Sequence, residues 1–147
     1  MAKNITIWTQ DFKKFIESGA FYVDKTKQVN KLVNSTDKYY FLSRPRRFWK
    51  SLTLSMMKYL YLWKRELFKW LYIEDKWDWE KNSPVIYMSF AGYTQDQNIE
   101  EYIDRNFKIF IWDEEFKLSD FWNKYNLEIV LTKIYEKTWK KSAVIVD

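Results

Sequence analysis

Apolar positions change their spacing several times along the chain, and each change marks an element. Phe12, Phe15 and Ile16 recur at helical spacing between Asp11 and Ser18, with Gly19 as a stop. Val29, Leu32 and Val33 stripe a second helix, Thr26 to Val33. Asn34-Ser35-Thr36-Asp37 reads as a turn. Tyr39-Tyr40-Phe41-Leu42 reads as a strand, and Pro45 blocks its continuation. Leu52, Met56, Tyr59, Leu60 and Trp63 then predict a helix from Lys50 to Leu62, with a short helix over Glu66 to Tyr72. Pro84 opens a strand over Val85 to Phe90, ended by Gly92. Ile99, Tyr102, Ile103 and Phe107 or Phe110 share one helical face of Asn98 to Ile111. Asp113-Glu114-Glu115 reads as solvated. Leu127, Val130, Leu131 and Ile134 form the buried face of a helix over Asp120 to Glu136. Ala143 to Val146 is a short apolar strand that runs into Asp147.

Helices alternating with strands of near-continuous apolar character predict an α/β fold, a parallel sheet covered on both faces with right-handed crossovers. A boundary near residue 37 divides a helical lead-in, residues 1–37, from an α/β core, residues 38–147. The 147 residues suit one domain or part of one, and 47% apolar with 31% charged residues fits a folded chain. No apolar run approaches the roughly 18 residues of a membrane span, and no basic-then-apolar signal opens the chain. The expectation is a cytoplasmic protein with no membrane partner. Zero cysteines exclude a disulfide framework and a thiolate metal site. Zero histidines remove the usual general base, and with it any serine-hydrolase triad at Ser43, Ser51 or Ser55. The pairs Asp113-Glu114 and Glu100-Glu101 read as surface groups, not as a metal or glycosidase site. The net charge of +5 is spread along the chain and favours phosphate-bearing ligands and ordinary solubility alike.

The chemistry concentrates in Ser43-Arg44-Pro45-Arg46-Arg47-Phe48-Trp49-Lys50-Ser51. A strand, a turn carrying Lys-Ser and a helix form the context of a phosphate-binding loop. Aligned on Lys50-Ser51, the pattern G-x-x-x-x-G-K-[ST] places its glycines at Arg44 and Trp49, so two of its four defined positions match. Backbone amides around residues 46–51 would bond phosphate oxygens, and the helix start would add its positive end. Lys50 would reach the β- and γ-phosphates and Ser51 would hold Mg²⁺. The strand ending in Asp147 would deliver a carboxylate to the ligand-binding edge of the sheet, there to hold Mg²⁺ through water.

These stretches carry a resemblance. Asp11-Phe12-Lys13-Lys14, Tyr22-Val23-Asp24-Lys25-Thr26, Phe41 to Phe48 with Lys50-Ser51-Leu52, Leu67-Phe68-Lys69 with Leu71-Tyr72-Ile73, Pro84-Val85-Ile86 and Val144-Ile145-Val146-Asp147 resemble the bacterial AAA-ATPase-like family of predicted P-loop ATPases. The resemblance covers essentially the whole chain and accepts arginine at position 44. It implies a three-layer P-loop NTPase-type sheet flanked by helices, here truncated and incomplete. It also implies ATP and Mg²⁺ as cofactors, bound by Arg44, Pro45, Arg46, Arg47, Phe48, Trp49, Lys50 and Ser51, with Ser51 and Asp147 at the metal and Lys50 catalytic. In the family an acidic residue soon after position 147 acts as general base, a later strand enters the sheet, and a nuclease-like domain that would meet nucleic acid often follows. None of these lies within the 147 residues, so hydrolysis is expected to be lost in this fragment.

The departures from the family fall on tryptophan. Nine tryptophans stand beside two glycines, where average usage gives about ten glycines. The family has glycine at 49, 70 and 139, and frequently at 8 and 63; Trp77 and Trp79 fit it as they are. One shared cause is expected: the codon UGA, read as glycine in some bacterial lineages and as tryptophan in a common alternative code. An indole at position 49 would intrude on the phosphate site, so the cellular protein is expected to bind ATP and the literal sequence to bind it poorly. Two other readings stand beside the ATPase. A degenerate ATPase fold would serve as a scaffold. Alternatively, Arg44, Arg46, Arg47, Phe48 and Trp49 would grip a nucleic-acid backbone and stack a base.

Overall fold

Asp11 sits at the start of the first helix because its carboxylate can satisfy a free amide there: Oδ1 accepts from the Lys14 amide at 3.0 Å. Helix α1 runs Phe12–Glu17 and α2 runs Thr26–Val33, both where periodicity places them. The computed structural model describes residues 9–43, 49–111, 114–117 and 127–147. The chain forms two units, one of Met1–Leu60 with Lys64–Glu80 and one of Tyr61–Trp63 with Lys81–Asp147.

In the first unit, α3 (Lys50–Tyr61) presents Leu52, Ser55, Met56 and Leu60 as its buried face. Ser55 Oγ accepts from the Phe12 amide at 3.0 Å, and Tyr59 donates its hydroxyl to Asp11 Oδ2 at 2.9 Å. Phe12, Phe15, Leu60, Phe68 and Ile73 are fully enclosed, each contributing about 1.5–3 kcal/mol of hydrophobic stabilisation. Phe12 lies 5.1 Å from Phe68 and 5.8 Å from Tyr22 between ring centres. A second clamp joins distant segments. Asp24 Oδ1 accepts from the Thr26 amide and hydroxyl, both at 2.7 Å, and its Oδ2 accepts from the Tyr72 amide at 2.7 Å. The buried Thr26 hydroxyl accepts from the Ile73 amide at 3.1 Å. The Tyr22-Val23-Asp24-Lys25-Thr26 stretch thus pins the start of α2 to residues 72–73.

Two expectations for this unit are corrected. Residues 39–42 form no strand, and Tyr39 and Phe41 are 90% and 93% exposed. A strand needs a neighbour for its amides and carbonyls, and the described residues of this unit contain none. The short helix over Glu66 to Tyr72 contracts to a 3₁₀ turn, Arg65–Phe68, because the backbone at Trp70 turns left-handed.

The second unit holds a four-stranded sheet: β1 (Val85–Met88), β2 (Phe107–Ile111), β3 (Glu114–Lys117) and β4 (Ala143–Val146), in the order β3-β2-β1-β4. The expected all-parallel sheet is corrected to a mixed one. Only β1 and β4 run parallel; β1 with β2 and β2 with β3 are antiparallel. The helix expected over Asn98 to Ile111 is also corrected. It ends as α4 (Ile99–Asn106), and Phe107 onward is strand. Phe107, Ile109 and Ile111 are buried and alternate with half-buried Lys108 and Phe110, a period of two in a β-branched and aromatic run. Register places Ile109 opposite Ile86 and Phe107 opposite Met88. Val130 and Ile134 of α5 (Leu127–Thr138) pack with Ile86, Phe107, Ile109 and Ile111 into one core, edged by Met88, Ile103, Phe116 and Leu131. Glu114 and Glu115 are exposed, as expected, but on edge strand β3, where Glu115 pairs with Lys108. Asp113 and the expected helix start at 120–126 lie outside the described residues.

Candidate functional site

Helix α3 begins at Lys50, and Trp49 makes its entry. The Trp49 carbonyl accepts from the Thr53 amide and from the Thr53 hydroxyl, both at 2.9 Å, which closes the first turn. Trp49 has φ 61°. Its indole stands edge-on to Phe15, 5.4 Å between ring centres, and is 44% exposed. Lys50 and Ser51 occupy the first turn, both half-buried. No acidic residue shares that turn. The first amides of a helix lack carbonyl partners within it, and the dipole makes that end positive. A lysine in that turn adds its charge to the positive end of the helix. Arg44, Pro45, Arg46, Arg47 and Phe48 lie outside the described residues.

Asp147 closes the second unit's parallel pair. Its amide donates to the Met88 carbonyl at 2.8 Å, and its carbonyl accepts from the Phe90 amide at 2.8 Å. The carboxylate therefore stands at the carboxyl ends of β1 and β4. Tyr87 donates to Asp147 Oδ2 at 3.4 Å. Among the described residues no three or more His, Cys, Asp or Glu side chains gather as a metal cluster. Trp49, Lys50 and Ser51 are contiguous in the first unit; Asp147 belongs to the second. Sequence reasoning passed over Tyr87, whose place beside Asp147 follows only from the β1–β4 register. It also gave no task to Asp24 and Thr26, which the structure makes a clamp.

Comparison with known proteins agrees on kinship. The family described as "Predicted AAA-ATPase" matches residues 6–147. An uncharacterized protein in the vnfD 5′ region of Azotobacter chroococcum mcd 1 is 42% identical over 91 residues. That match covers 61% of this chain and 17% of the relative. No solved structure matches. From residue 6 onward, then, this chain belongs to the AAA-ATPase-like family.

Proposed function

We propose that the chain is part of a P-loop ATPase domain and holds Mg-ATP through the loop at residues 44–51 and through Asp147. The observation that carries this reading is the start of α3: Lys50-Ser51 in the first turn of a helix, with a left-handed residue immediately before. Family membership points the same way, since it implies nucleotide use. The amides of Arg44, Arg46, Arg47, Phe48 and Trp49 would meet phosphate oxygens, with Pro45 shaping the turn. The Lys50 ammonium would bind the β- and γ-phosphates, and the Ser51 hydroxyl and Asp147 would hold the cation. Bound Mg²⁺ would neutralise phosphate charge. No residue among these is assigned as general base, so the proposal for them is nucleotide binding without turnover.

A fluorescent ATP-analogue titration tests the reading on three forms: the chain as written, Trp49→Gly, and Trp49→Gly with Lys50→Ala. Glycine at 49 lets phosphate approach the backbone, so Trp49→Gly should bind at least about tenfold more tightly, a difference of about 1.4 kcal/mol. Lys50→Ala should reverse that gain. Equal, tight binding by all three forms would remove the loop from the nucleotide site.

A further inference from the structure

Six described residues have a positive φ, and they are of two kinds: Gly19 and Gly92, and Trp49, Trp63, Trp70 and Trp139. Asparagine and aspartate are the usual non-glycine residues of that region, and for a bulky side chain it is an outlier. Here none of the described asparagines or aspartates adopts it and four tryptophans do, at φ 61°, 63°, 68° and 55°.

Each of the four holds a position whose geometry calls for glycine. Gly19 sets the standard: it follows α1 at φ 66°, and a Cβ on it would meet nothing within 4 Å, so the demand comes from the backbone and not from packing. Trp63 takes the same place after α3. The Lys64 amide reaches back to the Tyr59 carbonyl at 3.1 Å, the six-to-one bond of a Schellman cap around a left-handed residue. Trp139 does so after α5, its own amide bonding the Tyr135 carbonyl in the five-to-one form. Trp70 is the third residue of a turn closed by the Leu71 amide on the Phe68 carbonyl at 3.1 Å. Lys69 before it has φ −53° and ψ 132°, which makes the turn type II, the type that requires a positive φ at that position. Trp49 is the entry to α3.

The indoles return little for the strain. They are 44%, 52%, 94% and 78% exposed at 49, 63, 70 and 139. Trp77 and Trp79 behave otherwise. Trp77 is buried; Trp79 donates its indole N–H to the Glu74 carbonyl at 2.7 Å and packs on Phe68; neither has a positive φ. The described tryptophans therefore divide into a packed class and a left-handed, exposed class.

We infer that positions 49, 63, 70 and 139 are glycine in the protein the cell makes, each encoded by UGA read as glycine, while 77 and 79 are tryptophan encoded by UGG. One reassigned codon accounts for four like substitutions at four glycine-demanding sites. This inference rests on backbone geometry and stands whether or not the loop binds nucleotide.

The test is peptide mass mapping of the protein isolated from its own cells, together with the gene's codons. Trypsin releases residues 48–50, 59–64, 70–76 and 138–140, each carrying one position in question, and residues 77–81 as an internal control. The expected result is a glycine mass in the first four, two tryptophans in the control, and UGA at codons 49, 63, 70 and 139. A tryptophan mass in any of the first four, or UGG at any of those codons, overturns the inference.

Discussion

At the scale of single residues, backbone and burial oppose one another at the tryptophans. A left-handed conformation costs a non-glycine residue about 1–2 kcal/mol, and an exposed indole recovers little of it. Replacing Trp63 and Trp139 together by glycine should therefore stabilise the chain by roughly 1–3 kcal/mol, with the entropic cost of glycine in the unfolded state already deducted. Trp77→Gly removes a buried ring and should destabilise by at least about 3 kcal/mol. Urea unfolding of the three forms checks both signs; a loss of stability in the double variant contradicts the first. Tyr22 makes a different residue-scale prediction. Burial pushes its phenol well above the ordinary value, with the carboxylate of Asp24 pushing the same way. The folded state therefore keeps the proton that the unfolded chain releases near pH 10. Tyr22 thus contributes stability that is fully present below about pH 10 and declines as pH rises beyond it. Tyr22→Phe should flatten that alkaline decline in a series of melting temperatures taken between neutral pH and about pH 11.

At the scale of elements, what the sequence could disclose depended on how local the cause was. Helices α1, α2 and α3 and strand β4 rest on their own periodicity and stops, and they stand where the pattern puts them; β1 starts at Val85 as expected but ends at Met88, short of Phe90. Residues 107–111 were misread because Phe107 and Phe110 also fit a helical stripe; burial against Ile86, a partner twenty-one positions or more away, decides for strand. Residues 39–42 had a strand's composition, and the described residues of their unit contain no strand to pair with them. Strand direction is equally non-local, which is why a mixed sheet replaced a parallel one. The same distinction governs the site. Lys50-Ser51 was legible as a motif, whereas Tyr87 beside Asp147 needed the register. Among the described residues β4 is an edge of the sheet. It carries Val144 and Val146 at 43% and 55% exposure, and an apolar edge strand offers unpaired amides and carbonyls to other chains. Val146→Lys should reduce concentration-dependent self-association without lowering the melting temperature. Light scattering that leaves the variant as associated as the parent would locate the sticky surface elsewhere.

At the scale of the molecule, the nucleotide reading assigns unlike tasks to Lys50 and Asp147, and a metal separates them. Lys50 would meet phosphate directly, so its contribution does not depend on Mg²⁺. Asp147 would act only through the cation. In the Trp49→Gly background, Lys50→Ala should weaken analogue binding about tenfold with Mg²⁺ and about tenfold in EDTA. Asp147→Asn should weaken it about tenfold with Mg²⁺ and leave it unchanged or slightly tighter in EDTA, since a carboxylate without its cation repels phosphate if it acts on it at all. Asparagine keeps the size of the side chain and its hydrogen-bonding capacity toward Tyr87, so a general loss of folding is not the expected cause. Only the Asp147 effect would then depend on the metal, the signature of a residue that acts through the cation. Equal effects of Asp147→Asn with and without Mg²⁺ would detach Asp147 from the metal. No effect in either condition would detach it from the nucleotide and leave the start of α3 as an anion site in its own right.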